Sequence, residues 1–422
     1  MKVRIIQASL GGRVCAVPSK SQAHRILICA AFAKNATRVF CPATNNDIEA
    51  TADCLRALGA KIEYYNSEYR VTPVTKVPEE AQLDVGESGS TLRFLLPIVG
   101  ALGVRCEIKM HGRLPERPLF PLDTELLRHG MKIEKRGDTL VCGGRLTSGE
   151  YTIDGGVSSQ FVSGLLLAQM LLDGESTLAV TGDVQSVDYI KMTLEAMRKF
   201  GADVKEAENT YTVNGGKSLS SDGGVTVDGD WSSAAFWLCA GAISDKKITL
   251  SGMNTHSSQG DKRVCDVLER FGCKISTDTD GICCTSTDRL TATVIDGADI
   301  PDIIPVLSVV AAVSDGETVV KNAERLRLKE SDRLSATANA LTALGADIRV
   351  TDDGFIINGV KRLHGGQVDG ALDHRIVMSA AVASIVCDGE VEITDAEAVS
   401  KSYPDFWRDF EALGGKFEII ES

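Results

Sequence analysis

The hydrophobic and polar positions of the chain repeat with a period of about 70 residues. In each copy, a nearly continuous apolar stretch precedes a shorter stretch with amphipathic helical spacing. A helix that is apolar on all sides is expected to be buried on all sides. The apolar stretches begin near Ser21, Ser90, Ser159, Ser233, Asp302 and His374. Self-similarity at a fixed period predicts a repeat architecture, here with six copies.

A glycine ends each amphipathic stretch and is followed by a small or apolar residue, a charged residue and an apolar residue. The six glycines are Gly59, Gly130, Gly201, Gly272, Gly345 and Gly414, at steps of 71, 71, 71, 73 and 69 residues. Glycine suits the left-handed position directly after a helix. The spacing therefore predicts surface helices over 51–58, 123–129 and 189–200, each ended by such a glycine.

Strand-like runs follow these glycines in pairs, at 61–65 with 69–72, 202–205 with 210–214, and 347–350 with 355–358. Each copy is therefore predicted to consist of a strand, a buried helix, a strand, a surface helix and a hairpin. This order is a βαβαββ unit, and it predicts an α/β (α+β) fold. The sixth copy has only one strand, 416–420, after its glycine. We expect the N-terminal strand at 3–8 to supply the missing one.

This closure predicts two domains. Residues 18–226 would form an N-terminal domain from copies one to three, and residues 1–17 with 227–422 a C-terminal domain from copies four to six. The chain would cross between them near Val17 and Thr226. The alternative is a single elongated repeat array.

Length and composition agree with a globular protein of two or more domains, since 422 residues exceed what one core usually supports. The net charge of -13 argues against nucleic acid or an anionic membrane as a partner. Residues 1–7 lack the apolar core of a signal peptide, and no apolar run reaches the roughly 20 residues of a membrane span. Twelve scattered cysteines without a C-x-x-C pair are typical of thiols in a reducing cytosol. We expect a cytoplasmic monomer.

Polar side chains cluster at the starts of the buried helices, where free N–H groups and the helix dipole favour anions. In the first copy Ser19 is the expected N-cap, followed by Lys20, Ser21 and Arg25. Gly89 in the second copy leaves room for a ligand, and the third copy offers hydroxyls and an amide at 158–160. The later copies begin at 230–233, Asp302 and 373–375. A single capped start is usually only a cap, but several in the same phase predict an anion site.

Three further groups lie outside this pattern. A proline-stiffened loop at 113–118 presents Arg117, and residues 325–333 bring basic and acidic side chains together. On a helix, Lys329 and Arg333 would share a face, and the alternative there is a solvated surface helix with ion pairs. Lys401, taken alone, would be a surface lysine.

These motifs together, over essentially the whole chain, resemble the EPSP synthase (3-phosphoshikimate 1-carboxyvinyltransferase) family of enolpyruvyl transferases. The resemblance is carried by Ser19-Lys20-Ser21 with Arg25, Gly89 with Arg93, Glu116-Arg117-Pro118, Val157-Ser158-Ser159-Gln160, Gln259-Gly260-Asp261, Lys329-Glu330-Ser331-Asp332-Arg333, Asp373-His374-Arg375 and Lys401-Ser402-Tyr403-Pro404. It implies two domains of three βαβαββ units each, hinged around an active-site cleft, and neither a metal nor an organic cofactor.

The resemblance also implies a reaction of the shikimate pathway, in the biosynthesis of chorismate and the aromatic amino acids. The enolpyruvyl group of phosphoenolpyruvate would pass to the 5-hydroxyl of shikimate 3-phosphate through a tetrahedral intermediate, with release of phosphate. The catalytic residues would be Asp302 as base, Glu330 as the acid that protonates the methylene carbon, and Lys20 and His374. Two carboxylates with opposite tasks need pKa values that differ.

Binding residues follow from the resemblance position by position. Shikimate 3-phosphate would contact Lys20, Ser21, Arg25, Ser158, Ser159, Ser186, Tyr189, Asp302, Arg325 and Lys329. Phosphoenolpyruvate would contact Lys20, Gly89, Arg117, Gln160, Arg333, Arg375 and Lys401. Two positions depart from the family pattern. Glu87 stands where relatives often have asparagine, and Arg325 stands where some relatives have asparagine. The Glu87 carboxylate would repel the substrate unless it points away or pairs with Arg93.

Two other functions compete with this one. The related enolpyruvyl transferase of UDP-N-acetylglucosamine carries a cysteine in a glycine-rich loop, and residues 111–118 contain no cysteine, while Cys106 precedes them. A non-catalytic repeat scaffold would lack acids and cations at the helix starts. Lys20, Arg117, Asp302 and Glu330 argue against it.

Overall fold

The computed structural model describes residues 1–286 and 289–421. The chain divides into two compact units, which we call the N-terminal unit (Pro18–Val227) and the C-terminal unit (Met1–Val17 with Asp228–Ser422). The described residues form six four-stranded sheets packed against helices, which confirms the mixed α/β class.

The chain begins with two strands of the C-terminal unit, β1 (Lys2–Ala8) and β2 (Gly12–Cys15). The first repeat then contains α1 (Lys20–Ala31), β3 (Thr37–Phe40), α2 (Asn46–Ala57), β4 (Lys61–Tyr65) and β5 (Glu68–Thr72). The second contains β6 (Glu80–Asp84), α3 (Gly89–Leu102), β7 (Arg105–Lys109), α4 (Leu122–Arg128), β8 (Met131–Arg136) and β9 (Thr139–Gly144). The third contains β10 (Glu150–Asp154), α5 (Ser159–Gln169), β11 (Gly174–Thr181), α6 (Val187–Lys199), β12 (Asp203–Ala207) and β13 (Thr210–Gly215), and β14 (Gly224–Thr226) ends the unit.

The C-terminal unit continues the same order. Its fourth repeat contains α7 (Trp231–Ile243), β15 (Ile248–Ser251), α8 (Val264–Arg270), β16 (Cys273–Asp278) and β17 (Gly281–Ser286). The fifth contains β18 (Val294–Asp296), α9 (Ile304–Ala312), β19 (Glu317–Lys321), α10 (Arg333–Ala343), β20 (Asp347–Val350) and β21 (Phe355–Asn358). The sixth contains β22 (Leu363–Val368), α11 (His374–Ala383), β23 (Cys387–Ile393), α12 (Phe406–Ala412) and β24 (Gly415–Glu421).

Borrowed strands complete the repeats that lack one. In a full repeat the sheet order is β10-β11-β13-β12, in which the first two strands are parallel and the others antiparallel. In the sixth repeat β1 lies between β23 and β24, and Arg4 faces Glu392 on one side and Glu418 on the other. This confirms that the N-terminal strand supplies the missing one. In the same way β2 joins β15, and β14 joins β3, each in parallel.

The apolar helices form the core of each unit, as their composition predicts. Almost every side chain of α1, α3 and α5 in one unit, and of α7, α9 and α11 in the other, is buried. Helices α3 and α5 approach so closely that a Cβ on Gly164 would clash with the backbone carbonyl of Arg93. Each large apolar side chain buried in this way stabilises the fold by about 1.5–3 kcal/mol.

The six periodic glycines all adopt the left-handed conformation. Their φ values are 106° at Gly59, 102° at Gly130, 77° at Gly201, 92° at Gly272, 84° at Gly345 and 102° at Gly414. A side chain would strain each of these positions, which explains why the period is visible in the sequence.

Two further features concern the chain as a whole. Among the described residues, no helix is both long and apolar enough to cross a lipid bilayer. All twelve cysteines are free thiols.

Candidate active site

Each unit carries a cluster of polar side chains at its helix starts, and we describe the two clusters separately. In the N-terminal unit, the Ser19 side chain accepts a hydrogen bond from the backbone N–H of Gln22 at 3.4 Å, as expected for the N-cap of α1. Lys20 is the first residue of α1, and its Nζ lies 2.9 Å from Oδ2 of Asp47 in the first turn of α2. Asp47 thus holds the Lys20 ammonium group between the start of α1 and the start of α2.

Arg25 lies beneath this helix start and is only 1% exposed. Its Nε donates to Thr193 Oγ1 at 2.6 Å, and its Nη1 donates to the carbonyl of Ser21 at 2.6 Å. Its Nη2 donates to Ser163 Oγ at 3.2 Å and to the carbonyl of Tyr189 at 3.1 Å. Burial lowers the pKa of Arg25 to about 10, so it stays charged at neutral pH. The guanidinium therefore joins α1 to α5 and α6 and holds the backbone of Ser21 and Tyr189, two of the residues predicted to bind shikimate 3-phosphate.

The starts of α3 and α5 are linked through Gln160. Ser158 is the N-cap of α5 and accepts from the Gln160 N–H at 3.3 Å. The Gln160 side chain donates to Ser90 Oγ at 3.0 Å and accepts from Arg93 Nη1 at 2.6 Å. Ser186, the residue before α6, is buried and left-handed with φ 55°.

Arg117 packs directly on the first residue of α3. A Cβ on Gly89 would lie 2.8 Å from Arg117 Nη1, so the absence of a side chain admits the guanidinium. Arg93 Nη2 donates to the Pro118 carbonyl at 3.3 Å and thereby ties the loop to α3. The Glu87 carboxylate packs against Gly112 of the same loop, where a Cβ would clash with it.

Asp302 is the centre of the cluster in the C-terminal unit. Lys329 Nζ lies 3.1 Å from Oδ1, Arg333 Nη1 lies 2.9 Å from Oδ1, and Arg375 Nη2 lies 3.3 Å from Oδ2. Burial alone would raise the pKa of Asp302, but the charges of Arg375, Lys329 and Arg333 outweigh it and hold the pKa well below its usual range. Asp302 is therefore a carboxylate with little tendency to accept a proton while these cations face it.

Arg333 connects Asp302 to two other carboxylates and is 1% exposed. Its Nη2 lies 2.7 Å from Glu330 Oε2, and its Nε lies 2.8 Å from Asp373 Oδ2. Asp373 also caps α11, accepting from the Arg375 N–H at 2.9 Å, and accepts from Ser331 Oγ at 2.9 Å. Glu330 thus shares Arg333 with Asp302.

The helical arrangement expected for residues 329–333 is wrong. Lys329 is extended, with φ -89° and ψ -160°, and α10 begins only at Arg333 because Asp332 is its N-cap and accepts from the Ser335 N–H at 3.2 Å. The alternative of a solvated surface helix is also wrong, since Arg333 is fully buried. Asp302 likewise precedes its helix, in the 3-10 turn Pro301–Ile303, and α9 begins at Ile304.

Three more predicted residues lie in the C-terminal unit. His374 is buried, with Nδ1 3.6 Å from Asp373 Oδ1. Lys401 ends the 3-10 helix Ala396–Lys401 and is buried, so the alternative of a surface lysine is wrong. Arg325 is half-buried in the 3-10 helix Glu324–Leu328, and its charge acts on Lys329.

The structure adds residues that sequence reasoning did not assign to the site. These are Asp47, Ser163, Thr193 and Asp373, which orient the predicted residues through contacts between different helices. For Asp47, the local signal in the sequence is its position as an acid in the first turn of α2. Within residues 1–286 and 289–421, no three His, Cys, Asp or Glu side chains are grouped so that they could hold a metal ion.

Taken together, the fold and the two clusters define a repeat α/β protein that presents cations and helix N-termini to small phosphorylated or carboxylated ligands. Comparison with known proteins gives the family. The model of the EPSP synthase (3-phosphoshikimate 1-carboxyvinyltransferase) family matches residues 5–410. The chain belongs to this family.

Individual relatives agree over the full length. The chain is 40% identical to the 3-phosphoshikimate 1-carboxyvinyltransferase of Clostridium beijerinckii over 99% of this chain and 98% of that protein, and 38% identical to that of Clostridium novyi over 98% and 97%. The solved EPSP synthase of Acinetobacter baumannii superposes with a TM-score of 0.82 at 26% identity, covering 100% of both chains. The enolpyruvyl transferase NikO of Streptomyces tendae, at 20% identity and a TM-score of 0.79 over 99% and 98%, shares the fold.

Proposed function

We propose that this chain transfers the enolpyruvyl group of phosphoenolpyruvate to the 5-hydroxyl of shikimate 3-phosphate and releases phosphate. The family and the full-length relatives support the reaction. The observation in the chain itself that carries it is the set of three cations around Asp302. Such a set binds anions and at the same time controls the protonation of a carboxylate.

Binding of the two substrates would divide the cations between them. The shikimate phosphate and hydroxyls engage Lys20, Ser21, Arg25, Ser158, Ser159, Ser186, Tyr189, Asp302, Arg325 and Lys329. Phosphoenolpyruvate engages Lys20, Gly89, Arg117, Gln160, Arg333, Arg375 and Lys401. These residues come from both of the proposed domains, 18–226 and 1–17 with 227–422. The N–H groups at the starts of α1, α3 and α5 add donors that are already oriented.

Substrate binding also prepares Asp302 as a base. When substrate anions take over Lys329, Arg333 and Arg375, the field that lowers the Asp302 pKa weakens and its proton affinity rises. Asp302 then accepts the proton of the 5-hydroxyl as that oxygen bonds to the central carbon of phosphoenolpyruvate. The carboxylate is thus activated only in the presence of its reactants.

Glu330 completes the addition and the elimination. As the carbon–oxygen bond forms, the double-bond electrons take a proton from Glu330, and the methylene becomes a methyl group. In the second step the methyl group returns a proton to the Glu330 carboxylate, the double bond reforms, and the bond to phosphate breaks, while the proton held by Asp302 leaves with the phosphate. Lys20 would stabilise the phosphate, and His374, whose Nδ1 lies 3.6 Å from Asp373 Oδ1, would assist proton transfer.

We further infer that the enzyme is a cytoplasmic monomer. Free thiols at all twelve cysteines support a reducing compartment. The net charge of -13 supports small anions at local cation clusters, rather than nucleic acid, as partners.

The direct test is release of phosphate from phosphoenolpyruvate with shikimate 3-phosphate as acceptor, with UDP-N-acetylglucosamine in a parallel reaction. We expect release with the first acceptor alone. Release with UDP-N-acetylglucosamine alone would assign the other acceptor, and release with neither from a folded sample would favour the non-catalytic scaffold.

A further inference from the structure

Asp261 is a buried acid at the cluster of the C-terminal unit that the proposed reaction does not use. It lies in the 3-10 turn Gly260–Arg263 and is 2% exposed. Its Oδ2 accepts a hydrogen bond from the hydroxyl of Ser232 in the first turn of α7. This hydrogen bond fixes the Asp261 side chain between the 3-10 turn and the start of α7.

The contacts of Asp261 suit a neutral carboxylic acid better than a carboxylate. An ionised carboxylate needs several donors when it is buried. In the described part of the chain, Oδ1 of Asp261 has no hydrogen-bond partner. An unpartnered oxygen costs far less free energy on a neutral acid than on an ion.

The charged groups around Asp261 favour the same state. Burial is the largest effect and raises the pKa of Asp261, and the negative charges of Asp302 and Asp230 raise it further. The positive charge of Arg375 lowers it, and the pKa is about 7 as a result. Arg375 comes from α11, Asp230 caps α7, and Asp302 lies in the turn before α9. The neighbouring Asp302 is instead ionised, because Lys329 and Arg333 face it as well.

Arg375 is the group through which Asp261 can act. Its Nη2 contacts Asp302, whereas Nε and Nη1 have no hydrogen-bond partner within the described residues. Both donors are buried, and a neutral Asp261 does not compete for them, so the guanidinium can turn toward a ligand. An ionised Asp261 would attract the guanidinium and compete with the ligand for it.

We propose that Asp261 is a positioning residue whose neutral form keeps Arg375 available for phosphoenolpyruvate, and whose ionised form withdraws it. The proposal rests on the function given above, because it assumes phosphoenolpyruvate as the ligand of Arg375. It makes binding of that substrate weaken as pH rises while Asp302 and Glu330 stay in place.

The protonation state is tested first, without substrate. Infrared difference spectra of the wild-type protein against Asp261→Asn should show the carbonyl band of a protonated carboxylic acid at about pH 6 that disappears by about pH 8.5. The variant Arg375→Gln should move the midpoint of this titration upward, because it removes a cation. No protonated band at about pH 6, or an unchanged midpoint in Arg375→Gln, would overturn the proposal.

The consequence for the substrate is tested by the pH dependence of KM. For the wild type we expect the KM for phosphoenolpyruvate to rise about tenfold from about pH 6 to pH 8.5, with a smaller change in kcat. Asp261→Asn, which imitates the neutral acid, should keep a low KM throughout, and the exposed control Asp266→Asn should follow the wild type. A rise that persists in Asp261→Asn would refute the role of Asp261.

The two experiments separate this proposal from the proposed function. If the protein shows no turnover with shikimate 3-phosphate, the proposed function fails, and the infrared titration still decides whether Asp261 is neutral and coupled to Arg375. If turnover occurs and the titration is absent, the function stands and the role of Asp261 falls.

Discussion

At the scale of single residues, Asp302 is held by the same three cations that the substrates would use. Lys329, Arg333 and Arg375 all lie within 3.3 Å of its carboxylate oxygens. A carboxylate in this setting stabilises the folded protein and is a poor base until the cations are diverted. Stability and catalysis therefore respond in different ways to changes at this residue.

Replacing Asp302 with asparagine should abolish turnover and lower the free energy of unfolding at neutral pH by about 2 kcal/mol, because the buried Arg333 and Arg375 and the half-buried Lys329 lose an ionised partner. The folded pKa of Asp302 lies below the unfolded value of 3.8. Its contribution is thus present above pH 3.8 and is lost as pH falls through the folded pKa. Urea unfolding at neutral pH and in acid measures this contribution of Asp302 to the free energy of unfolding.

The exposed control for that experiment is Asp352→Asn in the same unit, which should unfold like the wild type at both pH values. An Asp302→Asn protein as stable as the wild type at neutral pH would show that the cations do not depend on this carboxylate.

Glu330→Gln should bind both substrates and lose turnover by about a hundredfold or more, since general acid catalysis typically contributes that much. The amide keeps the size of the side chain and a contact to Arg333 but offers no acidic proton. Steady-state kinetics together with calorimetric binding of shikimate 3-phosphate measure the two effects. Glu324→Gln, an exposed neighbour, is the matched control. Turnover near that of the control would remove Glu330 from the mechanism.

At the scale of elements, the starts of the buried helices combine capping with anion binding. Ser158 caps α5 and lies at a predicted phosphate site. The two roles can be separated, because aspartate caps a helix as well as serine but carries a negative charge.

Ser158→Asp should therefore fold with nearly unchanged stability and bind shikimate 3-phosphate much more weakly. Ser158→Ala should cost about 1 kcal/mol of stability and weaken binding less. Thermal unfolding and the KM for shikimate 3-phosphate distinguish them. Unimpaired binding in the aspartate variant would place the phosphate elsewhere.

The repeats were predictable from the sequence because backbone geometry imposes them. Gly59 and its five equivalents occupy left-handed positions that other residues avoid, and the missing strand after Gly414 pointed to the N-terminal strand. The conformation of 329–332 was not predictable in this way. Asp332 is the N-cap of α10, and Ser331 contacts Asp373, which is 42 residues away in sequence.

Individual predicted site residues could be found from motifs, but their partners could not. Asp47 reaches Lys20 from another helix, and Arg25 finds Thr193 from a different repeat. Such contacts depend on how helices pack, which no local spacing reports. The resemblance to a family named the residues at the helix starts, and the structure shows what holds them in position.

At the scale of the whole molecule, the predicted substrate contacts are shared between the two units. The cations predicted to contact the two anionic substrates are divided between the units. We therefore expect shikimate 3-phosphate to favour a more compact arrangement of the units. Small-angle scattering should show a smaller radius of gyration with shikimate 3-phosphate, and no change with UDP-N-acetylglucosamine. An equal radius with and without shikimate 3-phosphate would contradict this expectation.

The central claim, addition and elimination between these two substrates, is tested most directly by running the reaction in heavy water. The intermediate contains a methyl group that has gained one solvent hydrogen, and its rotation makes the three hydrogens equivalent. We predict that mass spectrometry finds an enol ether of shikimate 3-phosphate with deuterium in its methylene group, and one phosphate released for each product. An enol ether without deuterium, or phosphate without an enol ether, would contradict the account.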